Sequence, residues 1–448
     1  MTRQVRSRDN ERGSTLIVVL LIMAALTAVA GTAAYMVSTE SMLASNDVVE
    51  KEMFYLAESA MEEAVQYLNE LGEPFVGDGS NHDEPTVVMD HEKRGSGYIS
   101  VYIDPKDTNG GQSTRFLQIS TRATHVSGRS SKVLQMRVGQ QNFARYAYFS
   151  DSEKSSGGNT IWFMDEDELF GPVHTNDQLH ISGKPTFHEE VTSAASTIDL
   201  KSGPPTDAPD FRKGVELGAP KIELPSDLAL IKARAQQSAG MYITGMTTAE
   251  IEIYYNTALQ RSQLKVKKDS GTVQTYELPS NGVVYVDGVA KVKGKLAGQL
   301  TIASRKDLYI IDDVVYSVDP RLDPNSTDVL GLISEQNIIV AATQANMDVG
   351  DETIMAAIMA LNTSFTVEDY NKDSPRGKLK VYGGIIQETR GAVGTFSGTS
   401  VKSGYQKAYD HDARLMDTPP PAFPTTGTVE RMTWRELDPS TDISQNMF

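Results

Sequence analysis

The 448 residues of this chain include no cysteine, so any chemistry must come from other groups, histidines, carboxylates, hydroxyls and amines among them. That excludes a disulfide framework and any thiolate metal site. His174, His180 and His188 follow one another closely, with Asp165, Asp167, Glu189 and Glu190 nearby. Imidazole and carboxylate are good metal ligands. The spacing fits no standard zinc motif, however, and His174 and His180 share a strand face only if no turn intervenes, so satisfied or surface histidines are the expectation. Asp410-His411-Asp412 has the composition of a ligand triplet, but adjacent residues on a strand point to opposite faces. Asp104-Pro-Lys-Asp107-Thr-Asn109-Gly110 lacks the alternating acidic register and the closing glutamate of a calcium loop and reads as a turn. Asp312-Asp313, Asp348 and Asp351 could be drafted as a carboxylate pair for glycosidic chemistry, which needs a defined separation; acidic turns are the plainer reading. No nucleophile elbow, phosphate loop or dinucleotide fingerprint occurs where a strand and helix would support it. The expectation is a chain without catalysis, metal or cofactor.

The formal charge of -17 argues against nucleic acid as a partner, because a phosphate backbone repels such a surface. The length exceeds one typical core, and two or three domains are expected.

The organising element lies at the start. An uncharged run, Leu16 to Val37, spans roughly 33 Å as a helix at about 1.5 Å per residue, enough for a hydrocarbon core of about 30 Å. Leu16, Leu20, Leu21, Leu26 and Val29 would anchor it in lipid. From Met53 the pattern becomes amphipathic: Met53, Ala57, Met61, Ala64 and Leu68 recur at spacings of three and four between glutamates, a face that can pack on a core. Gly72 and Pro74 stop the helix. Arg3, Arg6, Arg8 and Arg12 outnumber Asp9 and Glu11 in the leader, which places it in the cytoplasm and the body outside. The alternative is a cleaved secretory signal ending near Ala28-Val29-Ala30 or Thr32-Ala33-Ala34, although helical patterning continues through that cut.

The basic leader ending in Gly13, the apolar run, and Phe54-Tyr55-Leu56-Ala57-Glu58-Ser59-Ala60 together resemble the N-terminus of type IV pilins and pseudopilins, specifically the PilX-type minor pilins. The resemblance implies cleavage by a prepilin peptidase between Gly13 and Ser14, and partners in other pilin-like subunits through the helix. Two positions depart from the family: Ser14 stands where most pilins begin with Phe, and Val18 where most carry Glu. In the family that glutamate pairs with a neighbour's terminal amine, so Val18 resembles a tip pseudopilin.

Residues 72–97 read as a loop. Gly97–Ile103, Arg115–Thr121 and Lys132–Val138 alternate with period two and read as an antiparallel meander, turned at Asn109-Gly110-Gly111 and Ser127-Gly128-Arg129 and covered by the helix. From Tyr146 short apolar runs broken by Gly, Asn or Asp recur, most clearly over Val283–Asp313. Stacked coils of a parallel β-solenoid are the expectation, with an irregular β-sandwich the competitor. A helix over Leu224–Ser238 and a hairpin turned at Asp269-Ser270-Gly271 suggest an α/β insertion near 212–279. Gly171–Gly183, Ser280–Val286 and Tyr409–Pro424 resemble an uncharacterised β-rich domain found behind bacterial pilin-like anchors, over most of 146–424. The organisation expected is a leader (1–13), a membrane and amphipathic helix (14–71), a small sheet head (72–145), the β-rich body (146–424) and a tail (425–448).

These readings imply a structural subunit held by one membrane span in a bacterial inner membrane, its body outside the cytoplasm, serving a type IV pilus or related secretion filament. The alternative is a membrane-tethered solenoid that binds or processes carbohydrate.

Overall fold

The computed structural model describes residues 11–70, 86–106, 116–347, 350–372, 374–397 and 400–444. The leader arginines Arg3, Arg6 and Arg8, the stop at Gly72 and Pro74, the Asn109-Gly110-Gly111 turn and Asp348 lie outside them, as do the side chains of Arg12 and Ser14. One continuous helix, α1 (Glu11–Glu70), opens the chain. Among the described residues it alone is long and apolar enough to cross a membrane, and none of its most apolar window is buried.

The second half of α1 lies on a five-stranded antiparallel sheet. Four strands follow one another: β1 (Thr86–Arg94), β2 (Gly97–Lys106), β3 (Phe116–His125) and β4 (Ser131–Asn142). The fifth, Thr425–Leu437, returns from the far end of the chain to pair with β4. Two readings are corrected here. The stretch 72–97 contains a strand, missed because Asp90, His91, Glu92 and Lys93 leave β1 no apolar alternation; it is an edge, exposed on most of its length. The tail contributes a strand whose Met432, Thr433, Trp434 and Arg435 show no alternation either, because this is the other edge.

Met53, Ala57, Ala60, Met61, Ala64 and Leu68 are 0–2% exposed and close over Ile99, Val101, Ile119 and Leu134. The three alanines keep the helix close to the sheet, and Thr121 donates across the contact to the Ala57 carbonyl at 3.1 Å. At Gly97 a Cβ would sit 2.7 Å from Leu56 Cδ2, so the approach leaves no room for a side chain.

The rest of the chain, 143–424, is inserted between two neighbouring strands of this sheet. Asn142 pairs with Thr425, and Phe143 N donates to the Pro424 carbonyl at 3.1 Å. This body is mainly β. Its longest ladder is parallel and runs from Met241–Ile243 through Val283–Val286, Gln299–Ser304, Val329–Ser334, Glu352–Ala360 and Pro375–Thr389. It continues on the other side of Pro375–Thr389 with β5 (Tyr148–Ser152), Val173–Thr175, Val191–Ser193 and Val215–Leu217. A second parallel ladder joins Thr248–Asn256, Val289–Leu296, Leu308–Tyr316, Ile338–Val340 and Phe365–Val367. The inner faces of both enclose one core, with Ile251, Val292, Ile302, Leu332 and Ile358 among its members.

The outer face of the first ladder is buried too. Val283, Tyr285, Ile333, Met359 and Ile386 are covered by Phe143, by the helix α2 (Ala229–Gln236) and by Leu415 and Phe423. Burial on both faces explains why these strands read as continuous apolar runs, whereas the second ladder alternates apolar with charged. The expected insertion at 212–279 is mostly part of the ladders: Met241–Ile243 and Thr248–Asn256 pair in parallel with later strands. Only Arg261–Lys268 and Val273–Glu277 form an antiparallel hairpin at the edge.

The body therefore begins in the middle of its own ladder. The chain runs to one end at Val215–Leu217, crosses to the other at Met241, and winds back until Pro375–Thr389 closes against β5. That closure is a seam between segments more than two hundred residues apart.

Candidate functional site

Two regions collect side chains that packing alone does not account for. The first is the amino-terminal half of α1. Leu16, Leu20, Leu21, Leu26 and Val29 are 59–64% exposed, on a helix with no neighbour there among the described residues. Leaving large aliphatic side chains in water costs about 1.5–3 kcal/mol each relative to burial, so this surface requires lipid or partner helices. Between this half and the head, α1 is exposed and acidic, with Glu40, Asp47 and Glu50. Lower contacts fasten the head: Ser96 donates to Glu52, Arg94 lies 3.4 Å from Glu63, and Arg431 pairs with Glu62. Near the helix end Val429 N donates to Asn69 Oδ1 at 2.9 Å.

The second region is the seam. A cavity of about 600 Å³ opens there, bounded by Tyr148 and Glu166–Phe170 from the early coils and by Tyr382, Arg390 and Lys407–Asp410 from the late ones. In Pro375–Thr389, Gly383 stands between the lining residues Tyr382 and Ile385. Its φ of 154° and the 1.9 Å between an added Cβ and the Ala356 carbonyl exclude a side chain at that residue. The first half of Pro375–Thr389 pairs with Ser400–Asp410 and the second with β5, and the cavity lies where these two partners part.

Charges cross the seam in pairs. Arg390, 4% exposed, donates to Glu153 Oε2 at 2.8 Å and to the Ile161 carbonyl at 3.1 Å, and its guanidinium lies 3.9 Å over the Phe163 ring. Lys407 donates to both Asp167 oxygens at 2.9 and 3.0 Å. Burial pushes Lys407 below the ordinary lysine range although Asp167 opposes it. Burial alone would raise Asp167, but Lys407 and Arg390 hold it below the usual carboxylate range. A lone buried charge is costly, so each of these ions depends on its partner from the other half of the chain.

The residues singled out by type and spacing do not converge. His174 is buried, 2.6 Å from Thr192 Oγ1 and 2.9 Å from Asn176 Oδ1, and burial depresses its pKa. His180 bonds Asp199 at 2.8 Å, and His188 bonds Arg212 at 2.9 Å while stacking on Phe170. Asp165 accepts from Lys184 N at 2.7 Å, and Glu189 pairs with Lys213. Among the described residues no group of three or more histidines and carboxylates could hold a metal ion. Asp412 is fully buried against Arg414, His411 lies beneath Gly171, and only Asp410 reaches the cavity. Asp313 accepts from Thr353 N, and Asp351 pairs with Lys380. Neighbouring Glu352 is pushed up to about 8 by burial and by Asp313 and Asp312.

Sequence reading missed Glu153, Arg390, Lys407 and the ring residues Tyr382 and Tyr409. No local signal marked the arginine: in Ile385-Ile386-Gln387-Glu388-Thr389-Arg390 two apolar residues are followed by four polar ones, as in any strand running out to solvent. Its partner, 237 residues earlier, was not legible.

Comparison with known proteins adds the following. Residues 12–62 match the PilX N-terminal family, and residues 108–196 match a domain of unknown function (DUF4900). The second match straddles the last head strands and the first coils of the body, rather than the 146–424 span read from the sequence. The chain thus joins a PilX-type N-terminus to an uncharacterised domain. No protein of curated function matches it. Among solved structures, the competence-associated pilin ComZ from Thermus thermophilus is similar over 87% of this chain and 97% of its own, at 11% identity and a TM-score of 0.31.

Proposed function

We propose that this protein is a structural, non-catalytic subunit of a type IV pilus or related secretion filament, held in the bacterial inner membrane by α1 with its body outside the cytoplasm. The observation that carries the reading is the division of one helix into a bare apolar half and a half sealed beneath a sheet. A helix of that kind serves as membrane anchor before assembly and as contact with other pilin-like helices after it. A prepilin peptidase would cut between Gly13 and Ser14, where the basic leader meets the apolar run. Sequencing the mature N-terminus of protein from native membranes tests this. A start at Ser14 is expected, and a start after Ala30 or Ala34 would overturn it in favour of a released body.

The body is read as a β-solenoid of stacked coils, which the two long parallel ladders support. Its bulk would crowd neighbours if repeated along a shaft. Val18 supplies no carboxylate for a neighbour's terminal amine. Both features favour an end of the filament, where a subunit has neighbours on one side only. Antibody labelling of sheared filaments should mark ends or membranes; uniform decoration of shafts would contradict the placement.

A further inference from the structure

The seam cavity is too large to be a packing fault, and charged groups sit among the apolar ones that line most of it. Its volume of about 600 Å³ falls within the roughly 300–1,000 Å³ of small-molecule sites. A space lined by charged groups fills with water, and water is displaceable by a ligand that reproduces its hydrogen bonds.

The lining restricts the ligand's chemistry. Four cations face the cavity, and a carboxylate holds each: Glu153 on Arg390, Asp167 on Lys407, Asp351 on Lys380 at 2.6 Å, and Asp319 on Arg321 at 2.7 Å. An anion would have to compete with those carboxylates, inside a protein of net charge -17. A strong cation would meet Glu166, Glu168 and Asp410, but it would have to sit among the four cations already on the lining. A neutral polyol needs neither, because each hydroxyl can donate to a carboxylate and accept from the adjoining ammonium or guanidinium. The rim adds apolar faces. Phe170 is 43% exposed and stacks on His188 at 4.2 Å, while Tyr382 lies under Arg321 at 4.6 Å. Tyr409 and Asp410 stand beside them. Rings with ion-paired polar groups between them suit the alternating CH and OH faces of a pyranose.

We propose that this cavity is a binding site for a short neutral saccharide, taken between Phe170 and Tyr409 with its hydroxyls on the Asp167–Lys407 pair and Asp410. The site belongs to the body and is independent of how the N-terminus is processed, so it can fail without affecting the assembly reading, and the reverse.

The test is isothermal titration calorimetry of the detergent-solubilised full chain against maltotetraose, cellotetraose and chitotetraose, with tetragalacturonate and tetralysine as charged probes. Saturable one-to-one binding of at least one neutral probe, and none of the charged ones, is expected. Phe170→Ala and Asp410→Asn, both at the rim, should each weaken it about tenfold, the loss of one ring or hydrogen-bond contact. Leu259→Ala on the distant hairpin should leave it unchanged. The proposal is overturned if no neutral probe binds, if a charged probe binds more tightly, or if both rim variants retain full affinity while melting as the parent does.

Discussion

Leu16–Val37 and Met53–Leu68 belong to one helix and are both rich in apolar side chains, yet they meet opposite surroundings. Leu21 and Leu26 are more than 60% exposed, whereas Met53 and Met61 are at most 1% exposed. The difference lies in what is interleaved. Glutamates at 52, 58, 62 and 63 confine the second half to one apolar stripe that a sheet can cover, while the first half is apolar all round and no single protein face could cover it. Composition chooses the solvent, and periodicity chooses the partner.

The most severe way to break this comparison is to remove the second half. A chain beginning at residue 72 should melt far below one beginning at Glu40, because the sheet loses a cover of large side chains, each contributing about 1.5–3 kcal/mol. Equal melting temperatures would show that the helix is dispensable to the head. Single truncations sharpen the contrast. Met61→Ala should cost the head about 2–5 kcal/mol in denaturant titration, whereas Leu21→Ala, in the bare half, should cost it nothing measurable. Reversing the chemistry separates the halves again: Leu21→Arg should lose about 2.5–3.5 kcal/mol of insertion, read as protein leaving the membrane fraction, with head stability intact.

Glu352 asks the same question of the body, a carboxyl buried beside Asp313 and Asp312. Its folded pKa of about 8 exceeds the ordinary 4.5, so the folded state binds more protons between those values. The parent should therefore lose stability relative to Glu352→Gln as pH rises from 4.5 to 8, and the gap should stay constant above that range. A gap independent of pH would refute the shift. The smallest effect is expected from Val18→Glu. It should leave head stability and membrane association unchanged, and a demand for that carboxylate in filament assembly would contradict the end position.

Local periodicity made α1, β2, β3, β4 and α2 legible, because each buries one face against a partner near in sequence or unspecified. Apolar runs such as Val329–Ser334 announced burial on both faces without naming what covers them. The rest depended on pairings with no local trace. Thr425–Leu437 carries edge-strand chemistry and gives no hint that β4 is its neighbour. The seam depends on Glu153 meeting Arg390 and Asp167 meeting Lys407, each an ordinary charge until the closing coil brings its partner.

The insertion of the body between β4 and Thr425–Leu437 has a mechanical meaning. Both junctions lie at the end of the sheet near Asn69, whereas Met53 and the span beyond it lie at the opposite end. A pull on the body, resisted at the apolar half of α1, draws both strands along their own axes. The hydrogen bonds between β4 and β3, and the side chains seated on α1, are then loaded side by side and in shear, not opened one after another. Tension divides between two strands that move together and so do not part from each other. The head is thereby a coupling that grips along its whole length.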